Sequence, residues 1–500
     1  MTTYLLGLDS GLTVTKAVVF RDDGTVVALA RREIAQIKTI PRHVERNMAG
    51  HWKASAAAIR EALDRASASE GTEVRPVAVS VAGHGDGLYL LDRAGAPIGL
   101  AATSLDSRAQ TLLRRWDETG VSARALELTG QRPFPSSPAP LLAHVRNEEP
   151  ERYGRIAAIL SCKDWLRYCL TGKAATDFTE ASVAFTDIRT QRYSDEALDL
   201  FGLSAIAGAL PDVLMPGDIA GHITEEAAQA TGLVAGTPVA AGLHDVTACA
   251  VGSGVTEAGT IAVIAGTYSI NEMLVDAPKT SIGWNARNGL RPGQWMNMSV
   301  SPASSANLDW FVLTAARDAL AGGDPFAMLQ AELDAIAGDP SDIIYLPYLY
   351  GSPHAEDVPA AFLGLRGWHG RGHMLRAVAE GIVFNHRHHI DLIDPQGEVG
   401  RVRLTGGSSR NPFFGQLFAD ALNRRVEVPE MPEAGALGAA IAAGIAVGVY
   451  SGWEEAGRRT KPQLRSYQPG DEVAKLHAGY GRYCDAIDTI MKRREEKAAP

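Results

Sequence analysis

Residues 4–20, YLLGLDSGLTVTKAVVF, decide how the chain is read. Two apolar, β-prone runs, YLLGL and KAVVF, flank a middle rich in glycine and hydroxyls, the pattern of a β-hairpin with a chemically loaded tip. At that tip Asp9 can reach a hydrated metal ion, Gly11 lets backbone approach an anion, Thr13 and Thr15 offer hydroxyls, and Lys16 adds positive charge. An ordinary hairpin with a soluble tip fits the same residues, and no Walker-type Gly-Lys-Ser/Thr accompanies them.

The pattern returns at residues 259–274, GTIAVIAGTYSINEML, again strand, Gly-Thr-x-Ser turn, strand. A hairpin that opens each half of a chain is the mark of an internal duplication. It divides the chain into residues 1–248 and 249–500, two similar α/β domains facing a cleft, with one glycine- and hydroxyl-rich tip from each directed at the same anion. Between the hairpins lies GLHDVTACAVGSG, residues 242–254, in which an apolar run ends on a single carboxylate, Asp245. Open α/β folds keep their chemistry at such strand ends. Asp245 reads equally as the N-cap of the helix begun by VTACA.

Composition limits the possibilities. At 500 residues the chain exceeds one ordinary core and suggests two or three units. A 46% hydrophobic and 21% charged composition is globular. The net charge of -10 argues against a general nucleic-acid or anionic-membrane binder and points to a small-molecule partner. The four cysteines form no CxxC pair, so neither a disulfide framework nor a zinc knuckle is indicated. The N-terminus lacks a signal-peptide pattern and no apolar run is long enough for a membrane span, so a cytoplasmic protein is expected.

In chain order, residues 48–68 have helical periodicity with an alanine-rich face, and VRPVAVSVAG is a buried strand running into HGDGLYLLD. His84 and Asp86 stand at that strand's end, a position suited to bonding sugar hydroxyls. The glycines there resemble a dinucleotide fingerprint, but LYLLD reads as a strand where a helix would be required. Asp106 and Arg108 fall at the mouth of a helix expected from about Ser107, where they could grip vicinal hydroxyls or act as a cap and a surface charge. KDWLRYCLTG reads as a helix stopped by Gly172. ATDFTEASVAFTD, residues 175–187, is dense in polar residues and reads either as bordering a substrate or as a surface loop. His386, His388 and His389 lack zinc-ligand spacing and read as surface and helix-packing residues. In VRLTGGSSRNPFFGQLFADAL, from Val402, the Gly406–Gly407 turn lets backbone lie against a ring or phosphate, with Ser408 and Asn411 near the helix start. EAGALGAAIAAG, from Glu433, permits close approach; alone it is tight helix packing, and together with the preceding turn it suggests a nucleotide pocket.

This set of motifs, in this order from Leu5 to about Tyr450, resembles the FGGY family of carbohydrate kinases, members of the actin-like, Hsp70-like ATPase superfamily. LGLDSGLTVTKAVVF, GLHD, GTYS, LTGGSSRNPFFGQLFAD and EAGALGAAIAAG carry the resemblance. HGDGLYLLD, SLDSRA, KDWLRYCLTG and SSANLDWF look most like its L-xylulose kinase branch. The resemblance implies two actin-like (ribonuclease H-like) ATPase domains, ATP and Mg2+ as cofactors, a small sugar or polyol as acceptor, and a homodimer. It implies Asp245 as catalytic base, with Asp9 and Asp245 placing Mg2+ through water. Gly11, Thr13, Lys16, Gly266 and Thr267 would contact the triphosphate, and Gly406, Gly407, Ser408 and Asn411 the adenosine. His84, Asp86, Asp106, Arg108 and Asp245 would contact the sugar, a ketopentose such as L-xylulose or xylulose. Leu12 stands where the family commonly has threonine, and His84 with Asp86 differs from the usual xylulose kinase pairing. A kinase of erythritol or a pentitol, a non-kinase switch or assembly protein like actin or Hsp70, and an NAD-dependent dehydrogenase are the alternatives.

Overall fold

In the computed structural model the described residues are 2–318, 325–336, 342–354, 358–431, 433–460 and 462–498. The chain forms two compact units: residues 1–258, 274–297 and 431–462 make the first, and residues 259–273, 298–430 and 463–500 the second.

The sheet of the first unit grows from the opening hairpin. Its strands are β1 (Tyr4–Ser10), β2 (Val14–Arg21), β3 (Val26–Glu33), β4 (Ala78–Gly83), β5 (Ile219–His222), β6 (Pro238–Ala240) and β7 (Leu243–His244). They run in the order β5-β6-β4-β1-β2-β3, with β7 also paired to β4. The hairpin β1–β2 is antiparallel, whereas β4 lies parallel to β1, and β6 and β7 parallel to β4. Side chains alternate across a strand, so β1 has two different faces. Leu6 and Leu8 enter the core formed with Val19, Val79 and Val81 and with Ala58, Ile59, Ala62 and Leu63 of the Met48–Glu70 helix. Gly7 and Asp9, on the opposite face, meet the Ala434–Ala446 helix. A side chain at Gly7 would collide with the Ala436 carbonyl, and one at Gly438 with the Ala248 carbonyl. The small residues of EAGALGAAIAAG thus serve close packing on β1 and on the Asp245–Gly252 helix, both within the first unit. That outcome follows the helix-packing reading of the stretch.

The second unit repeats the plan. Its strands are β8 (Ile261–Ala265), β9 (Ser269–Val275), β10 (Trp295–Ser301), β11 (Arg401–Thr405), β12 (Arg425–Pro429) and β13 (Leu464–Tyr467), in the order β10-β9-β8-β11-β12-β13. β8–β9 is an antiparallel hairpin, β11 is parallel to β8, β12 parallel to β11, and β13 antiparallel to β12. These six strands match the six-strand path of the first sheet, where β5 is likewise antiparallel to β6; the Asn285–Asn288 strand, next to β10, extends the second sheet without a counterpart. The two hairpins are therefore equivalent parts of a duplicated α/β topology.

His386 and His389 are not surface residues. The Arg371–Ile393 helix turns both inward, and both are buried. His386 Nδ1 lies 3.0 Å from Ser269 Oγ and 2.8 Å from Asn271 Oδ1, and its Nε2 lies 3.1 Å from Ser304 Oγ. His389 contacts Ser299 and Ser301 at 2.7 and 2.9 Å. Serine hydroxyls and one amide oxygen make this burial tolerable, because a buried polar ring needs partners. No helix among the described residues is long and apolar enough to cross a membrane.

Candidate active site

Three neighbouring strands of the first unit end together. Asp9 of β1 registers with Ala82 of β4, Leu243 of β7 registers with the same Ala82, and His244 with Gly83. The chain therefore leaves the sheet at Ser10, His84 and Asp245 along one edge, the carboxyl ends of parallel strands.

Asp9 faces the Ala434–Ala446 helix, where a Cβ on Gly435 would stand 2.8 Å from Asp9 Oδ2. Across the hairpin it registers with Lys16, whose Nζ donates to Glu433 Oε2 at 2.8 Å. Burial pushes the Asp9 carboxyl up to about 6; Lys16 opposes the rise and Glu433 adds to it. The Thr13 side chain is exposed, and its carbonyl accepts from Ile34 N–H at 2.7 Å. Gly11 donates its N–H to the Val14 carbonyl at 3.0 Å, closing the tip.

Asp245 is the first residue of the Asp245–Gly252 helix and follows its N-cap, His244. Its Oδ1 accepts from Val246 N–H at 2.7 Å, so a local capping bond is present. That bond does not exhaust the carboxyl, whose side chain keeps 28% of its accessible surface. Burial raises it to about 7, and the negative charge of Asp9 is the next contribution; His84, the Val246 N–H and Arg287 pull the other way. Asp9 and Asp245 thus form a mutually repelling pair of carboxyls, held by strand register.

His84 is buried beside Arg46 and Tyr89, its Nε2 at 3.3 and 3.2 Å from Arg46 Nη1 and the Tyr89 hydroxyl. Burial, followed by the Arg46 charge, lowers it to about 4, which leaves the ring neutral. Asp86 has φ of 59°, a left-handed conformation that side-chain-bearing residues seldom adopt. Its Oδ2 is 3.6 Å from Arg287 Nη2.

Asp106 and Arg108 are both buried and engage one another. Arg108 donates from Nε to Asp106 Oδ1 at 2.8 Å and from Nη2 to Oδ2 at 2.7 Å, and Nη2 also reaches Glu45 Oε1 at 2.7 Å. Val44 N–H donates to Asp106 Oδ2 at 2.8 Å. The pair braces the 44–45 segment, and the nearby helix begins at Gln110 rather than near Ser107.

In the second unit Gly266 and Thr267 form the β8–β9 tip, and the Gly266 carbonyl accepts both N–H and Oγ–H of Ser305, at 2.9 and 2.7 Å. Gly406 ends the neighbouring strand β11 with φ of 94°, a conformation that glycine adopts without strain. Gly407 opens onto free space. The Ser408 hydroxyl is buried without a partner among the described residues. Asn411 caps the Pro412–Leu422 helix by accepting from Phe413 N–H at 2.9 Å. The four residues Gly406, Gly407, Ser408 and Asn411 share one turn beside the Gly266 tip.

Family models match the chain on both halves: the N-terminal domain model of the FGGY family of carbohydrate kinases over residues 4–252 and its C-terminal domain model over residues 261–447. The chain belongs to the FGGY family of carbohydrate kinases. It is 32% identical over 496 residues to the L-xylulose/3-keto-L-gulonate kinase of Escherichia coli (strain K12), covering 98% of each chain. It is 30% identical over 493 residues to the erythritol kinase of Brucella abortus (strain 2308), covering 95% of this chain and 93% of that one. Among solved structures, xylulose kinase from Rhodospirillum rubrum superimposes with a TM-score of 0.88 at 25% identity, over 98% of this chain and 99% of that one. This FGGY protein is thus an ATP-using carbohydrate kinase of actin-like fold. The dehydrogenase alternative also fails locally, because Tyr89–Leu91 is a strand.

Sequence motifs missed several groups at the FGGY site. Arg46 is fully buried and donates from Nη2 to the Gly11 and Leu12 carbonyls at 3.2 and 2.5 Å, tying the hairpin tip to His84. Glu433, His244, Arg287 and Glu180 were also unflagged. Only the polar density of ATDFTEASVAFTD hinted at the last; Asp177, Thr179 and Glu180 are buried, which removes the surface-loop reading.

Proposed function

We propose that this kinase transfers the γ-phosphoryl group of ATP to a hydroxyl of a ketopentose such as L-xylulose or xylulose. The observation that carries the reading is Asp245, a strand-end carboxyl raised to about 7 beside Asp9. A sugar hydroxyl is a poor nucleophile, and a carboxylate within hydrogen-bond reach accepts its proton as the bond to phosphorus forms. Asp245, with a conjugate acid near neutrality, is suited to that exchange. The L-xylulose and xylulose kinases among the relatives support the acceptor class.

Two repelling carboxyls at the ends of β1 and β7, on either side of β4, fit Mg2+, which keeps several waters and takes one or two carboxylates. Asp9 and Asp245 would hold the ion, which supplies charge neutralisation to the phosphates when bound. Lys16, Thr13 and the Gly11 turn in residues 1–248 would meet the terminal phosphates. Residues 249–500 would hold the nucleotide, with Gly266 and Thr267 toward the triphosphate and the Gly406–Asn411 turn against adenosine. His84 and Asp86 would bond sugar hydroxyls, and the Asp106–Arg108 clamp would hold the neighbouring wall.

Coupled ADP release against a panel of ketopentoses, pentitols and tetritols tests the assignment. Turnover is expected to be greatest with a ketopentose. Greater turnover with erythritol or a pentitol would replace the acceptor class with a polyol, and a flat response across the panel would remove the reading.

A further inference from the structure

Around Asp86 the first unit gathers several buried polar atoms that make no hydrogen bond among the described residues. Asp86 Oδ1, Glu180 Oε2, Arg287 Nε and His244 Nδ1 are each buried and lack a hydrogen-bond partner among the described residues. Such atoms occur elsewhere among the described residues, but four around one place require an explanation. The four side chains come from separate segments that are pinned together. His244 N–H donates to Thr179 Oγ1 at 3.0 Å, fixing β7 to the Phe178–Ala181 helix that carries Glu180. Asn288 N–H donates to Ser182 Oγ and its side-chain amide to the Phe178 carbonyl, both at 3.0 Å, fixing the Asn285–Asn288 strand that carries Arg287. Arg287 Nη1 lies 2.5 Å from His244 Nε2 and its Nη2 3.6 Å from Asp86 Oδ2, and Asp86 and Glu180 line one pocket.

We propose that Glu180 and Arg287, with Asp86 and His244, receive the hydroxyl-bearing chain of an uncharged acceptor and disfavour acceptors that carry a carboxylate. The inference rests on the sugar kinase reading and specifies its acceptor. Because Arg287 donates to His244 Nε2, the ring proton sits on Nδ1, so that atom is a donor, 3.3 Å from Asp245 Oδ1 but not aligned for a hydrogen bond. Arg287 Nε is a second donor, and Asp86 Oδ1 is an acceptor. Burial pushes the Glu180 carboxyl well above the usual range, which makes it able both to donate and to accept. A chain of neighbouring hydroxyls, each donor and acceptor at once, matches this mixed set. A carboxylate only accepts, so placed against Asp86 it would leave that acceptor unsatisfied and add negative charge beside it.

The cations that face Asp86 and Glu180 are already engaged, and buried Arg46, beside His84, is held by the Gly11 and Leu12 carbonyls. Lys163 Nζ lies 2.6 Å from Asp164 and 2.8 Å from Asp177, Arg167 lies 3.1 Å from Asp164, and Arg287 itself faces Asp86. A charged acceptor would therefore enter without a dedicated counter-ion, and burying an unpaired charge is costly.

The test compares a neutral ketopentose, L-xylulose, with a carboxylate-bearing keto acid, 3-keto-L-gulonate, by coupled ADP release from the full-length enzyme. The wild type is expected to favour the neutral acceptor in kcat/KM by about 50-fold or more. Glu180→Ala and Arg287→Met should raise KM for the neutral acceptor about tenfold while KM for ATP stays within about twofold, and Glu180→Gln should restore acceptor KM to within about threefold. Equal use of the two acceptors by the wild type would overturn the proposal, and that arm requires no variant to fold. Folded Ala and Met variants with unchanged acceptor KM would overturn it as well. Absence of ADP release with every acceptor would instead strike the kinase reading beneath it.

Discussion

The two hairpins share a strand plan and differ in what their tips carry. The first brings ionisable groups to its tip: Asp9 registers with Lys16, and Lys16 pairs with Glu433. The second has no ionisable side chain between Ala265 and Ser269 other than Tyr268, and its Gly266 carbonyl is fastened by Ser305. Duplication supplied two equivalent turns, and sequence change gave the charged chemistry to one and left the other as backbone and hydroxyl. The first hairpin is suited to neutralising and positioning charge, and the second to presenting a fixed turn to an anion.

Changing the charged tip should have the larger consequence. Asp9→Asn removes half of the carboxyl pair that would hold Mg2+, and kcat should fall by about 10^3 with the fold retained. Steady-state kinetics over a Mg2+ titration would check it. A loss under about tenfold would mean that the two tips are more alike in function than their residues suggest. Thr267→Ala trims one hydroxyl from the second tip and should raise KM for ATP about three- to tenfold with a smaller change in kcat. A collapse of kcat comparable to that of Asp9→Asn would reverse the contrast.

Much of this was legible in the sequence because it depends on local pattern. Alternating apolar residues around LDSGLTVTK and IAGTYS fix both hairpins, and the glycines at 406 and 407 mark a turn that the structure places beside Gly266. What escaped notice depends on long-range pairing. Glu433 meets Lys16 across 417 positions, and Arg287 reaches His244 across 43. Neither contact leaves a local signature, since an Arg in NARN or a Glu before a small-residue helix has many ordinary uses. The burial of His386 and His389 in FNHRHHIDLID has no local signature for the same reason: their partners include hydroxyls on strands far away in sequence.

Asp245 joins these threads and supplies the most direct test. Folded, it keeps its proton to about 7 and Asp9 to about 6, against the ordinary carboxyl value of 3.8 for each. Between those values the native state binds more protons than the unfolded chain, so stability should fall as pH rises from about 4 to about 7. Asp245→Asn removes one of the repelling charges; without Mg2+ it should melt a few degrees above the wild type at pH 8, with the gain vanishing near pH 4. The same variant, given ATP, Mg2+ and a ketopentose, is predicted to bind ATP as the wild type does and to form no phosphosugar. Phosphosugar formation at more than about one-hundredth of the wild-type rate would contradict the assignment of Asp245 as the base.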